Sequence, residues 1–376
     1  MYKIMTAGPT QVRENVRMAR SLETTNPDLD VAFCEFYKET CDLLPELLHS
    51  SGTAYIRGGE GILGLEAACA SLTELGDRVL VLDNGIFGKG FADFAKMYGG
   101  EPVLFTSDYQ KPIDAAELRA FLEKDSDFKY ATVVHCDTPS GVINDVSVIC
   151  PMLAEFGILS VVDSVAGMFG EYVNVDESQI DILCGGSQKA LSAPAGLTML
   201  WVSDKAMAAM ENRKTPIAAF YANILTFKTY YEDKWFPYTM PISDINGLRV
   251  AVDNVKAEPD IVERHAKIAA ATRQAVRKAG LSLYLKEGYA NTVTVIEVPE
   301  GLTDEQILST MRDKYNVMIS GCFDVLAGKV IRIGHMGENA NVDDMAMTLD
   351  AMDKTFADLG YELGCSMKEE FLAAMA

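Results

Sequence analysis

The chain lacks any apolar run long enough to cross a bilayer, and it lacks the motifs of a metal site. A membrane-spanning helix takes about 20 apolar residues in succession, and no stretch approaches that length. The four histidines form no His-Glu-x-x-His motif, and the eight cysteines match no zinc-binding spacing. Most of these cysteines lie inside apolar segments, where reduced and unreactive thiols are expected. We therefore expect no membrane partner and no metal.

Basic residues are scarce relative to acidic ones. The chain has 33 lysines and arginines against 54 aspartates and glutamates, which gives a formal net charge of −21. Such a surface repels the phosphates of nucleic acids, so no nucleic-acid partner is expected. The N-terminus has no long apolar stretch after Lys3, unlike a signal peptide. Together with the expected reduced cysteines, this predicts a cytoplasmic location.

Short apolar runs alternate with amphipathic patterns between residues 50 and 205. Near-continuous runs of Val, Ile and Leu are typical of strands buried on both faces, as in a parallel sheet. The predicted strands are 78–83, 102–105, 131–135, 158–163, 180–184 and 197–202, and the predicted helices are 65–75, 88–98, 114–123 and 146–156. The pattern predicts an α/β fold with a mainly parallel central sheet, whose ligands bind beyond the carboxyl ends of the strands.

At 376 residues the chain exceeds what one core usually organises, so two domains are expected. We predict a large domain over 15–250 and a smaller α+β domain over 251–376. In the second, the patterns predict helices over 258–279, 304–315 and 342–359, and strands over 282–285, 292–298 and 330–333.

Three features fall at the same predicted edge of the sheet. Residues 57–66 place a glycine-rich turn before a helix, where free N–H groups favour a phosphate, although such turns are common. Asp163 ends a buried strand, either as a helix cap or as a functional carboxylate. Lys189 follows 26 positions later among small residues, and the alternative for it is a solvated surface lysine.

Taken in this order, the three features are the parts that pyridoxal 5'-phosphate (PLP) needs. A lysine amine forms an imine with the cofactor, a carboxylate keeps the pyridine nitrogen protonated, and the turn anchors the phosphate. The sequence therefore predicts a PLP enzyme.

The chain resembles the class V, fold-type I aminotransferases of the alanine–glyoxylate and serine–pyruvate group. The resemblance covers nearly the whole chain. The motifs that carry it are Ala-Gly-Pro-Thr at 7–10, Leu-Glu-Ala-Ala at 65–68, Asn-Gly-Ile-Phe-Gly at 84–88, Asp-Thr-Pro-Ser-Gly at 137–141, Val-Asp-Ser at 162–164, Ser-Gln-Lys-Ala-Leu at 187–191 and Arg-Ile-Gly-His-Met-Gly at 332–337. It implies amino-group transfer from a small amino acid to pyruvate or glyoxylate.

The resemblance also implies roles for single residues. Lys189 would form the Schiff base and shuttle the proton, and Asp163 would pair with the pyridinium nitrogen. Phe87 would stack on the ring, unless it is a core residue, and Thr138 would lie near the ring, unless it only caps a turn. The implied phosphate contacts are Gly61, Ile62 and Gln188.

Further roles implied by the resemblance lie away from the ring. Thr239 would reach the phosphate of a neighbouring subunit, which implies a homodimer with shared sites. Arg332 would receive the substrate carboxylate through its fork of N–H donors, or else form an interdomain ion pair. Gly8 would line the substrate pocket through its backbone, which places residues 1–14 at the active-site cleft.

Glu60 departs from the family pattern, because a carboxylate in the phosphate turn repels a phosphate. In this region the chain looks closest to pyridoxamine–pyruvate aminotransferase, which takes unphosphorylated pyridoxamine as substrate. Glu60 would then accept a hydrogen bond from a hydroxymethyl group, and Phe236, standing where a phosphate-binding tyrosine is common, agrees. Against this, Gln188 keeps the phosphate-type pair with Ser187, and Phe323 replaces that enzyme's second arginine. We favour the PLP-cofactor aminotransferase.

Two other classes remain as alternatives. Cysteine desulfurases share the fold and need a mobile thiol, for which Cys322 lies in a plausible loop, although we expect it to be packed. A non-enzymatic regulator would need a DNA-binding domain and a basic surface, and the sequence has neither.

Overall fold

The computed structural model describes residues 2–376. Its strands are β1 (Lys3–Ile4), β2 (Thr53–Gly58), β3 (Arg78–Asp83), β4 (Glu101–Thr106), β5 (Tyr130–Val134), β6 (Cys136–Asp137), β7 (Val142–Ile143), β8 (Leu159–Asp163), β9 (Ile182–Gly186), β10 (Leu197–Val202), β11 (Val293–Glu297), β12 (Val317–Met318) and β13 (Val330–Gly334). Its α-helices are α1 (Glu14–Ala19), α2 (Val31–Leu47), α3 (Gly61–Leu72), α4 (Ile86–Met97), α5 (Ala115–Leu122), α6 (Val146–Glu155), α7 (Asp204–Glu211), α8 (Ile242–Lys256), α9 (Ile261–Lys278), α10 (Asp304–Tyr315), α11 (Val342–Asp358) and α12 (Met367–Met375).

A seven-stranded sheet organises the first two thirds of the chain, in the order β2-β10-β9-β8-β5-β3-β4. β10 runs antiparallel to both of its neighbours, and the other adjacent pairs are parallel. All side chains of β5, β9 and β10 are buried, because helices cover both faces of the sheet. The predicted α/β fold with a mainly parallel central sheet is confirmed.

β10 is the only strand of this sheet that runs in the opposite direction. β2, β3, β5, β8 and β9 run the same way, so their carboxyl ends meet at one edge of the sheet. Asp163 is the last residue of β8, and the segments that follow the other strands contain Glu60, Phe87, Thr138 and Lys189. The topology therefore brings together residues that lie far apart in the sequence.

A second hydrophobic core lies among the helices and strands of the last third of the chain. β11 and β13 pair antiparallel, α9 packs against β11, and α12 packs against α9 and α11. Buried residues of this core include Ile331, Leu349 and Phe371. The N-terminal β1 pairs with β12, so the first residues join this part of the molecule. The domain boundaries near residues 14 and 250 stay a prediction.

Several elements differ from those expected. The predicted strand over 282–285 is wrong, because this segment makes only an isolated bridge between Leu283 and Ile296. The sequence patterns also gave no indication of β2, α2 or α8. Within residues 2–376, no helix combines the length and apolar character needed to span a membrane.

Candidate active site

One cavity at the carboxyl edge of the sheet contains the residues expected to surround a cofactor ring. Lys189 and Asp163 both face it, together with Phe87 and Thr138. The remaining lining residues are Glu60, Ile62, Leu65, Cys136, Val165 and Ala166. Segments at the carboxyl ends of several strands supply these groups, and the cavity lies where an open α/β sheet is expected to bind its ligand.

The amine of Lys189 is held against the N-terminal segment. Its Nζ donates a hydrogen bond of 2.9 Å to the carbonyl oxygen of Ala7. Burial lowers the pKa of Lys189, although the charges of Asp163 and Glu60 act in the opposite direction. A lowered pKa increases the neutral fraction of the amine, which is the form that attacks a carbonyl.

Gly8 lies directly against Lys189 and has no room for a side chain. Its φ of +101° favours glycine, and a Cβ at this position would collide with the lysine side chain from Cδ to Nζ. Thr10 holds the N-terminal segment in place with two hydrogen bonds. Its N–H donates to the carbonyl oxygen of Gln188 at 3.0 Å, and its hydroxyl donates to the carbonyl oxygen of Lys189 at 3.0 Å. Gly8 thus contacts the lysine that faces the cavity, and its expected role in lining the substrate pocket stays a prediction.

Asp163 ends β8 with its side chain buried in the cavity wall. Its Oδ1 accepts the N–H of Val165 at 2.9 Å, so the carboxylate also caps the turn that follows the strand. Burial raises the pKa of Asp163 to about 7, while the Val165 N–H and the nearby Lys189 lower it. A buried carboxylate with few hydrogen bonds is stabilised by a cationic N–H partner.

Asp137 is a site residue to which the sequence analysis gave no role. It is fully buried and accepts hydrogen bonds from the N–H of Phe87 at 3.2 Å and from the hydroxyl of Ser140 at 2.7 Å. Burial raises its pKa against these hydrogen bonds. Asp137 therefore fixes the backbone of Phe87 and the turn that contains Thr138. The Asp-Thr-Pro-Ser-Gly motif was the only signal for it.

Arg332 lies on β13 and contacts the turn that contains Thr138, between β6 and β7. Its Nε donates to the carbonyl oxygen of Gly321 at 2.7 Å, and its Nη1 donates to that of Thr138 at 3.2 Å. Within residues 2–376 it forms no ion pair, so the alternative of an interdomain ion pair is not seen there. Backbone carbonyls hold the guanidinium in place and leave Nη2 free of hydrogen bonds within the described chain.

Glu60 occupies the end of the cavity where a phosphate was expected. It caps α3, which begins at Gly61, and its carboxylate accepts the N–H of Ile62 at 2.8 Å. The side-chain amide of Gln188 also donates to this carboxylate. Ile62 and Gln188 are two of the three implied phosphate contacts, and both point their donors at Glu60.

Thr239 lies outside the cavity. It is exposed, and its hydroxyl donates to Asp28 at 2.9 Å. Its expected role at a neighbouring subunit stays a prediction, since the structure contains one chain. Phe236 is buried and packs edge-on against Tyr37, with ring centroids 5.1 Å apart. It therefore contributes to the core of its own chain.

Comparison with known proteins identifies the family of the chain. The sequence pattern described as aminotransferase class-V matches residues 48–322. The chain belongs to the class-V aminotransferases. This aminotransferase is 33% identical over 364 residues to an uncharacterized aminotransferase of Methanocaldococcus jannaschii, with 96% of this chain and 94% of the relative covered. It is 35% identical over 341 residues to the pyridoxamine–pyruvate transaminase of Mesorhizobium japonicum, with 89% and 86% covered.

The fold of this class-V aminotransferase matches solved structures as well. The ureidoglycine–glyoxylate aminotransferase of Bacillus subtilis superposes with a TM-score of 0.95 at 27% identity, covering 100% of this chain and 98% of the other. The chain is therefore a fold-type I, PLP-dependent aminotransferase, as predicted from the sequence.

Proposed function

We propose that this aminotransferase moves an amino group from a small amino acid to pyruvate or glyoxylate. The observation that carries the proposal is that Lys189 and Asp163 line one cavity. Arg332 is hydrogen-bonded to the carbonyl oxygen of Thr138, a residue that lines the same cavity. When bound, PLP supplies an aldehyde for the amine and a ring that accepts electrons from the substrate Cα. The protein supplies the position of the substrate and the path of the proton.

The chain's own residues divide the work as follows. Arg332 binds the carboxylate shared by the amino acid and the oxo acid, and this contact sets the orientation of Cα. Lys189 has a lowered pKa and removes or returns the Cα proton. Asp163 would keep the ring nitrogen of the bound cofactor protonated, and Phe87 and Thr138, which line the same cavity, would contact its ring.

The end of the cavity near Lys189 and Asp163 fits the ring of PLP. The end near Glu60 fits the phosphate only after the Glu60 side chain has moved. Gly61, Ile62 and Gln188 would hold the phosphate, but two of their donors are engaged by Glu60. Because the Glu60 side chain is exposed, it can turn away into solvent. A phosphate that accepts the same N–H groups requires this movement, since two anions at one helix N-terminus repel each other.

This observation favours a second candidate, the transfer of the amino group from unphosphorylated pyridoxamine to pyruvate. The relative from Mesorhizobium japonicum bears the name pyridoxamine–pyruvate transaminase. A hydroxymethyl group can donate a hydrogen bond to Glu60 in the position where a phosphate would be repelled. In this second reaction Lys189, Asp163 and Arg332 keep the same roles.

We further propose that the enzyme is a cytoplasmic homodimer with shared active sites. Three aromatic side chains between residues 220 and 235 are more than half exposed, namely Phe220 at 57%, Tyr221 at 55% and Trp235 at 64%. Thr239 lies beside them in the sequence and faces outward. A second copy of the chain would bury these apolar groups and bring Thr239 to a neighbouring cavity.

The desulfurase alternative is not supported. Burial raises the pKa of the Cys322 thiol, whereas a sulfur-extracting cysteine needs a lowered pKa. The Sγ atom packs against the carbonyl oxygen of Pro139 at 3.9 Å.

The test is to identify the small molecule that copurifies with the full chain and to assay both reactions. Bound PLP together with amino transfer from serine or alanine supports the first proposal. A ligand-free protein that consumes pyridoxamine and pyruvate supports the second. An enzyme that performs neither reaction after addition of PLP or pyridoxal would overturn both.

A further inference from the structure

Glu171 is a buried carboxylate that connects the large sheet to the strands that carry Arg332. It lies eight residues after Asp163, and it is 3% exposed. Its two oxygens accept the main-chain N–H of Asn291 and the side-chain amide of the same residue, the second at 2.9 Å. Asn291 lies two residues before β11, the strand that pairs with β13. One side chain therefore joins the two parts of the active site.

A hydrogen-bonded turn fixes Glu171 relative to Asp163, the last residue of β8. The carbonyl oxygen of Ser164 accepts the N–H of Met168 at 2.8 Å, and the carbonyl oxygen of Gly167 accepts the N–H of Glu171 at 2.7 Å. Two residues of this turn also line the cavity. Because consecutive main-chain hydrogen bonds restrict the backbone, the position of Glu171 is set by the strand that ends at Asp163.

Asn291 is connected to β13 through His335. The carbonyl oxygen of Asn291 accepts Nδ1 of His335 at 3.0 Å, and the N–H of His335 donates to the carbonyl oxygen of Thr292 at 3.0 Å. In the pairing of β11 with β13, Arg332 lies opposite Val295. A displacement of Asn291 must therefore shift the strand pair, and with it the guanidinium of Arg332.

The guanidinium of Arg273, on α9, is held against the same segment. Its Nη1 donates to the carbonyl oxygen of Ala290 at 2.8 Å. Burial raises the pKa of Glu171 to about 7, whereas the hydrogen bonds from Asn291 and the charge of Arg273 lower it. Removal of the carboxylate would leave two buried N–H groups without an acceptor, so the connection depends on an oxygen at this position.

We propose that Glu171 is a positioning residue that fixes Arg332 relative to Asp163 and Lys189, acting through Asn291 and the pairing of β11 with β13. It does not contact the substrate, and its effect is on the binding of the substrate carboxylate. The inference rests on the proposed function, in which Arg332 receives that carboxylate. It holds for either amino donor, because the oxo acid is bound in both reactions.

The test measures acetate as a competitive inhibitor of pyruvate in the full-length enzyme, with serine or pyridoxamine as donor. Acetate has the carboxylate that Arg332 binds and no carbonyl that accepts an amine. Glu171→Ala should raise the inhibition constant at least about 10-fold, while the dissociation constant of PLP or pyridoxal changes by less than about 2-fold. Glu171→Gln keeps one oxygen for the main-chain N–H of Asn291, so its increase should be about 3-fold. If Glu171→Ala does not fold, the same comparison is made with Glu171→Gln.

Asp181 provides a matched control at the opposite edge of the sheet, next to the first residues of β8 and β9. It is 4% exposed, and its oxygens accept the N–H of Ser160 at 3.0 Å and the hydroxyl of Ser203 at 2.9 Å. Asp181→Ala removes a carboxylate that is equally buried. It should lower the melting temperature without changing the inhibition constant of acetate.

A double variant distinguishes the positioning of Arg332 from an independent effect. In an Arg332→Gln background, Glu171→Ala should lower kcat/KM for pyruvate by less than about 2-fold, because the guanidinium is already absent. In the wild-type background the loss should be at least about 10-fold.

Three results overturn the inference and leave the proposed function intact. The first is an unchanged inhibition constant of acetate in the Glu171 variants. The second is a parallel loss of affinity for acetate and for the pyridoxal compound, and the third is a loss in the double variant equal to the product of the two single losses. If no oxo acid supports turnover of the wild type, the proposed function itself fails, and the inference fails with it.

Discussion

The amine of Lys189 lies 2.9 Å from the carbonyl oxygen of Ala7, a residue 182 positions earlier in the chain. The acceptor is a main-chain atom, so it holds the amine in the cavity without forming a salt bridge. An amine held by a neutral acceptor remains available as a base and nucleophile once the contact is released. This contact explains why the N-terminal segment is part of the site.

Lys189→Ala is expected to abolish turnover and the visible absorbance of the bound pyridoxal group, because no other amine lines the cavity within the described chain. Steady-state assays and absorbance spectra of the purified protein measure both effects. Lys205→Ala, at an exposed position on α7, serves as the control and should behave as wild type. Retained turnover in the Lys189 variant would remove the basis of the proposed function.

Gly8→Ala is expected to lower kcat by at least about 100-fold, since misplacement of a catalytic group by 1 Å can cost that much. The new methyl group collides with Lys189 and displaces its amine. Gly301→Ala is a matched control, because Gly301 has a φ of +88° but no atom within 4 Å of the place that the new methyl group would take. Both variants carry similar backbone strain, so equal activities of the two would contradict this explanation.

Asp163→Asn is expected to abolish efficient catalysis and to stabilise the protein freed of pyridoxal compounds at pH 8. The pKa of this carboxyl group is about 4 in the unfolded chain, and burial raises it to about 7 in the folded chain. Between these two pH values the folded protein keeps the carboxyl proton, whereas the unfolded chain has lost it. Stability falls as the pH rises through this window, and the full cost, about 2 to 4 kcal/mol, persists above it. Calorimetry at pH 5 and pH 8 should show the variant's advantage growing with pH.

A control variant, Asp176→Asn, is expected to change the stability of the protein in the opposite direction. Hydrogen bonds from Ser50 and Ser51 lower the pKa of Asp176, so its charged form stabilises the fold. Asp176→Asn should therefore destabilise the protein at neutral pH. If Asp163→Asn stabilises the protein by the same amount at pH 5 and at pH 8, burial of the charge is not the cause of the stabilisation.

Glu60→Ala is expected to raise the affinity for PLP by about 10-fold or more while lowering the affinity for pyridoxal, because the charge that competes with a phosphate is removed. Glu60→Gln keeps an oxygen that can accept the Ile62 N–H and should give an intermediate result. Titration of the ligand-free protein with each compound provides the two dissociation constants. If their ratio is the same in all three proteins, Glu60 does not distinguish the phosphorylated species.

The parts of the fold that the sequence predicted best are those buried on both faces. β3 and β10 have the predicted bounds, because their unbroken apolar runs leave little choice of structure. β2 has the same length as β3 and β10, but it went unpredicted because it carries Arg57, a charged residue that is nevertheless fully buried. The segment over 282–285 has a strand-like composition, but it finds no partner beyond a single bridge.

In the candidate site, too, some features could be predicted from the sequence and others could not. Lys189 and Asp163 could be predicted because strand ends of a parallel sheet meet at one edge. The contacts of Ala7 and Gly321 could not, because they are made by main-chain carbonyl groups that any residue possesses. The double hydrogen bond to Glu60 also depends on a side-chain conformation that sequence alone does not specify.

A hydrogen bond between β13 and the N-terminal segment connects the two ends of the active site. The N–H of Gly334 donates to the carbonyl oxygen of Met5 at 2.8 Å. Gly334 lies two residues beyond Arg332 on β13, and Met5 lies two residues before Ala7 in the N-terminal segment. A shift of the strand that carries the guanidinium must therefore pull the segment that restrains the lysine. Arrival of a carboxylate at one end of the cavity and release of the amine at the other would then be a single movement.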